Sequence, residues 1–116
     1  ITIMVLASSI LVGSDIAVLY DGSMSMEGFA CSGSLQAIDQ NIFSAIKGIG
    51  LTPERFIFRS STTNDIEIDV LKSQSDLEPE IFSGNYTLLD KAVSSTKGKY
   101  KSILLIKCMC SFSRHT

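Results

Sequence analysis

Five consecutive residues carry most of the chemistry this chain could do. Asp21-Gly22-Ser23-Met24-Ser25 leaves the apolar run DIAVLY (Asp15 to Tyr20) as an Asp-x-Ser-x-Ser pentapeptide. Oxygen ligands two residues apart along a loop can turn toward one point. One carboxylate and two hydroxyls are hard donors, suited to Mg²⁺, Ca²⁺ or Mn²⁺ and not to a soft metal. With only one anionic ligand, a bound Mg²⁺ stays electrophilic and keeps a position open for a carboxylate from another molecule.

Other chemistries lack a part. Asp21 as a phosphoryl-accepting nucleophile, in the manner of haloacid-dehalogenase-type phosphatases, wants a second acid two positions on, where this chain has Ser23. Ser23 or Ser25 as a hydrolase nucleophile needs a base, and His115 is the only histidine. The plain alternative is that Asp21 and Ser23 cap a turn. Cys108 and Cys110 have one residue between their thiols, too close for a CxxC redox pair, and read as small apolar residues beside a strand end. Cys31, after the pentapeptide, is either free or paired with one of them.

The chain has 116 residues and a net charge of −2, from 10 Lys+Arg against 12 Asp+Glu. That length holds one domain. At 45% hydrophobic residues it can bury a core. No basic run is present, which argues against nucleic acid as a partner. Three cysteines are too few for a disulfide framework.

Positioning the pentapeptide requires a buried strand before it and a helix after it. DIAVLY, short and closed by Asp21-Gly22, reads as the buried strand. Met24 to Ser34 reads as a Gly- and Ser-rich loop. Leu35, Ile38, Ile42, Ile46 and Ile49, with Phe43 and Ala45 beside them, recur at helical spacing. That helix is expected to be capped by Ser32 or Ser34 and stopped by Gly48 and Gly50. Pro53-Glu54 reads as a turn and Arg55 to Phe58 as the next strand. Residues 65–71 alternate polar and apolar, the period of a half-exposed edge strand, with Glu67 and Asp69 on its solvated face. Ser73 to Gly84 is polar, with a short helix at best. A second helix begins at Thr87 to Val93, with Thr87 near its cap and Gly98 at its end. Ser102 to Ile106 is the last strand. Strands interleaved with helices predict an α/β sheet covered on both faces, with ligands bound beyond the carboxyl ends of its strands.

Residues 1–13 are apolar and uncharged, too short to span a bilayer, which takes about 20 residues. They read as a leader or the remnant of a secretory signal, which leans the setting toward secreted or cell envelope. Residues 108–116 read as an irregular tail.

On the residues DGSMSMEGF (21–29) and the loop GNYTLLDKA (84–92), the chain resembles a bacterial-type von Willebrand factor A domain with its metal-ion-dependent adhesion site. The resemblance runs from about Asp15 to Ile106. It implies a Rossmann-like, doubly wound and mostly parallel sheet over residues 14–107, with one antiparallel edge strand, incomplete at the C-terminus. It implies that Asp21, Ser23, Ser25 and Thr87 line a site for weakly bound Mg²⁺, Mn²⁺ or Ca²⁺. Its partner would be a protein offering a carboxylate, and its role binding and not catalysis. The family's third loop carries a Thr-Asp-Gly where this chain has Lys107-Cys108-Met109. The missing acid keeps a metal-free scaffold, or a non-functional fragment, as the alternative. Restoring it by Cys108→Asp is expected to tighten binding.

In the expected sheet, strands near 15–20, 55–60 and 102–107 are parallel, with 15–20 between the other two and 65–71 antiparallel at an edge. The strand at 102–107 would then expose one apolar edge. The chain is expected to be poorly soluble, self-associated through that strand, or capped by its own N-terminal segment.

Overall fold

The computed structural model describes residues 2–7 and 15–107. Eight elements follow in order: β1 (Thr2–Ala7), β2 (Ile16–Asp21), α1 (Glu27–Cys31), α2 (Ser34–Gly48), β3 (Pro53–Arg59), β4 (Glu67–Leu71), α3 (Leu89–Thr96) and β5 (Ser102–Lys107). The strands form one mixed sheet in the order β1-β5-β2-β3-β4. β2 runs parallel to both β3 and β5, and β4 is antiparallel to β3, as the sequence predicts.

β2 is buried along its whole length, which a central strand with cover on both faces requires. Alternation divides its side chains. Ile16, Val18 and Tyr20 enter a core with Ala30 of α1 and Leu35 of α2. Ala17 and Leu19 enter the opposite core with Ala92 of α3. Each fully buried aliphatic side chain in these cores contributes about 1.5–3 kcal/mol.

The sheet differs from expectation at one edge. It has two antiparallel edge strands and not one, because β1 pairs antiparallel with β5, from Thr2 opposite Lys107 to Ala7 opposite Ser102. Both sides of β5 are therefore paired, and self-association through 102–107 has no open edge to use. Of the three expected outcomes, capping by the N-terminal segment is the arrangement found. A truncation lacking residues 1–13 should re-expose β5 and self-associate in sedimentation velocity. A stable monomer would show that β1 is dispensable to that edge.

Several local expectations are corrected. Met24 to Ser34 is not all loop: Met24–Met26 makes a 3-10 turn and α1 follows, anchored by fully buried Met26. No serine caps α2; its N-cap is Gly33, at φ +84°, while the Ser32 hydroxyl accepts from Ser34 N at 3.3 Å. Ala45 and Ile49 are exposed, and the inward position between Leu35 and Phe43 belongs to Asp39. Pro53 and Glu54 open β3 instead of forming a turn, since a first strand position tolerates proline. Residues 73–84 hold two 3-10 turns, Gln74–Asp76 and Pro79–Ile81. The same stretch buries Leu77 and Phe82 in the core. On the solvated face of β4, Asp69 and Glu67 are drawn to Arg59 Nη2, at 2.5 and 3.8 Å. Among the described residues no helix is long and apolar enough to cross a membrane.

Candidate functional site

β5, β2 and β3 end side by side, and Asp21 closes the middle strand with 2% exposure. Strand alternation aims it, like Ala17 and Leu19, at the α3 face. Gly22 follows because the chain here lies against β3. Its N–H donates to the Phe58 carbonyl at 2.8 Å. A Cβ on Gly22 would stand 2.7 Å from that oxygen and 2.9 Å from Ile57 Cγ1. The backbone then doubles back, and Ser23 N–H donates to Asp21 Oδ1 at 3.0 Å, the geometry of an Asx turn.

The second loop is stitched to the first. Met24 N–H donates to Gly84 O at 3.0 Å and Gly84 N–H to Gly22 O at 2.9 Å. Asn85 and Tyr86 N–H both donate to Ser60 O, at 2.8 and 3.1 Å. This fixes Thr87, whose hydroxyl donates to Asp21 Oδ1 and Oδ2, each at 3.3 Å. Thr87 does not cap α3, which starts at Leu89 after Leu88. The Ser23 and Ser25 hydroxyls lie 2.9 Å apart.

One chain of hydrogen bonds thus joins all four residues singled out from the sequence: Thr87 to Asp21, Asp21 to Ser23, Ser23 to Ser25. Asp21 and Ser23 are buried, while Ser25 and Thr87 are exposed. The carboxylate is the floor and the hydroxyls are the rim.

Burial pushes the Asp21 carboxyl above the usual carboxylate range. Hydrogen bonds from Ser23 and Thr87, and the charge of Lys107, pull the other way. Lys107 ends β5 one position beyond the Tyr20–Ile106 pair, on the strand beside Asp21.

The donor set suits a hard divalent ion: one desolvated carboxylate lacking a full counter-charge, and three hydroxyl oxygens around it. Among the described residues, no three His, Cys, Asp or Glu side chains gather as a metal cluster. A cation here would meet a single negative charge and, close by, the Lys107 ammonium. Cys31 is exposed, and Cys108 and Cys110 lie outside the described residues.

Two buried polar residues escape a reading of the sequence, Asp39 on the α2 face of the sheet and Ser60 beside the loops. Asp39 is fully buried, and Arg55 grips it through Nε and Nη2, each at 2.8 Å. The Tyr20 hydroxyl donates to the same carboxylate, and Arg55 stacks on the Phe43 ring at 3.8 Å from its centroid. The signal was its spacing, four residues after Leu35 on the inward stripe. Ser60, one position past the end of β3, is 2% exposed and bridges to Tyr86. Its signal was the alternation continued from Phe56 and Phe58.

In comparison with known proteins, no family model, no curated protein and no solved structure matches the chain.

Proposed function

We propose that this chain is a divalent-cation-dependent binding module of the von Willebrand factor A type. In this reading Asp21, Ser23, Ser25 and Thr87 hold a weakly bound Mg²⁺, Mn²⁺ or Ca²⁺, and the ion takes a carboxylate from a protein partner. The observation that carries the reading is the meeting of two distant loops: Thr87 bonds Asp21 across 66 positions of sequence, next to the paired Ser23 and Ser25 hydroxyls.

The topology supports it. β2 is a switch point, with β3 on one side and β5 on the other, and the loops leaving its carboxyl end are where ligands bind in open α/β sheets. The three parallel central strands, with helices on both faces, also support the Rossmann-like, doubly wound form of the fold.

In binding, the ion supplies a Lewis-acidic point for an incoming carboxylate. The chain's own residues set how firmly that point is held. Asp21 supplies the charge, kept in place by Ser23 N–H and Thr87. Ser23 and Ser25 are neutral donors, so the ion's charge is left largely unquenched for the partner. Lys107 opposes the ion, which sets weak affinity.

Lys107 also favours a second reading, a metal-free scaffold in which its ammonium serves as the standing counter-charge of Asp21. Calorimetric titration with Mg²⁺ and Mn²⁺ separates the two. The chain should give saturable heats and Asp21→Ala none. Equal heats from both would reject the cation site and leave the scaffold.

A further inference from the structure

Building on the cation reading, we propose that Ser60 is a fifth oxygen ligand of the same site, standing beside Asp21 on the opposite side from Lys107. Three side-chain atoms are sealed from solvent without a hydrogen-bond partner among the described residues: Gln36 Oε1, Arg59 Nε and Ser60 Oγ. The first two belong to groups otherwise engaged. Gln36 Nε2 donates to Leu77 O at 2.6 Å and Ala30 O at 3.1 Å. Arg59 reaches Ile81 O through Nη1 and Asp69 through Nη2. Ser60 alone has no hydrogen bond from its side chain. A buried hydroxyl left unpaired opposes folding, so one kept at a site calls for a bound species to satisfy it.

Register places this hydroxyl. Asp21 pairs with Phe58, and Leu19 pairs with Leu105. Alternation then puts Lys107, Asp21 and Ser60 on one face of three neighbouring strands, with Ser60 one step farther toward the loops. It stands level with Ser23, from which it is separated by Gly84, which bridges to Ser23 and packs on the Ser60 backbone. Its carbonyl holds Asn85 and Tyr86, the residues that deliver Thr87. The hydroxyl therefore lies beneath the loop, on the face where the carboxylate of Asp21 and the Thr87 hydroxyl meet. A hard cation wants six or more oxygens. A further neutral hydroxyl adds one without adding charge, where the family pattern's third-loop acid is replaced by Lys107-Cys108-Met109.

The test uses the metal alone, titrated calorimetrically into the full chain, Ser60→Ala, Ser60→Cys and the neighbouring control Ser61→Ala. Ser60→Ala should bind Mn²⁺ about tenfold more weakly, the effect of one lost ligand worth about 1.4 kcal/mol. Ser61→Ala should match the parent. Ser60→Cys, nearly the same size, should fold even where alanine does not. A thiolate ligand favours soft ions, so its preference for Cd²⁺ over Mn²⁺ should rise at least about tenfold over the parent chain titrated in the same way. A role in loop packing alone would leave that preference unmoved. Parent-like Mn²⁺ affinity in Ser60→Ala, or loss of Mn²⁺ in Ser60→Cys without gain of Cd²⁺, would overturn the assignment while leaving the cation site standing. No Mn²⁺ uptake by the parent chain would overturn both.

Discussion

Asp39→Ala should remove about 3–5 kcal/mol of stability, the cost of stranding a buried charge by deleting its partner. Arg55 is 8% exposed, and its guanidinium spends two nitrogens on Asp39. With the carboxylate gone, that charge stays under Phe43 with no counter-ion, and the Tyr20 hydroxyl loses its acceptor. Domains of this size are stable by about 5–15 kcal/mol, so the variant should sit near the edge of unfolding in urea titration. Replacing the whole cluster, Tyr20→Phe with Asp39→Leu and Arg55→Met, should cost far less than the single change, because no polar group is left behind. A loss under about 1 kcal/mol for Asp39→Ala would show that water reaches Arg55 and that the cluster does not hold α2 to the sheet.

Gly22→Ala should cost about 2–3 kcal/mol and disable the site with it. The added Cβ would meet Phe58 O at 2.7 Å and Ile57 Cγ1 at 2.9 Å. One of these is backbone of the neighbouring strand and cannot swing away, whereas the still closer approach to Arg59 Cγ involves a side chain that can. Relief requires β2 and β3 to part where Gly22 N–H meets Phe58 O, which moves Ser23 off the Asp21 carboxylate. The matching control is Gly28→Ala in α1, where a Cβ meets nothing within 4 Å. There the change should be neutral or stabilising by about 0.5–1 kcal/mol. Urea midpoints for the two variants, with Mn²⁺ titration of each, check both halves. Equal midpoints would show that the strands part without cost.

The parallel centre of the sheet was legible because its strands are written locally. DIAVLY and ILLI are short unbroken apolar runs, and a strand buried on both faces needs that pattern. β4 showed through its alternation for the complementary reason. The pentapeptide stood out too, since its carboxylate and hydroxyls are neighbours in sequence. Thr87 needed a family resemblance, because nothing in a lone threonine tells which strand end it will face. Ser60 and Asp39 show in the sequence only as spacing, without their roles, for a related reason. Their roles arise from partners on other elements: the loop at 84–87 for one, Arg55 and Tyr20 for the other. Leu77 and Phe82 plug the core from a stretch with no period, so pattern reasoning passed over them.

The pairing of β1 with β5 has a kinetic side. The two strands lie roughly a hundred residues apart in sequence, a long loop to close against chain entropy. β5 is also the second neighbour of β2, so two of the four pairings in the sheet wait for the same last strand. During synthesis, at roughly 5–20 residues per second, β2, β3 and β4 with α2 can assemble from nearby sequence. Through those seconds β1 has no partner and β2 has one open side, the interval in which chains on neighbouring ribosomes can pair wrongly. Arrival of Ser102–Lys107 ends it. The strand that seals the sheet also sets Lys107 beside Asp21, so the polarity of the site is established in the same closing event.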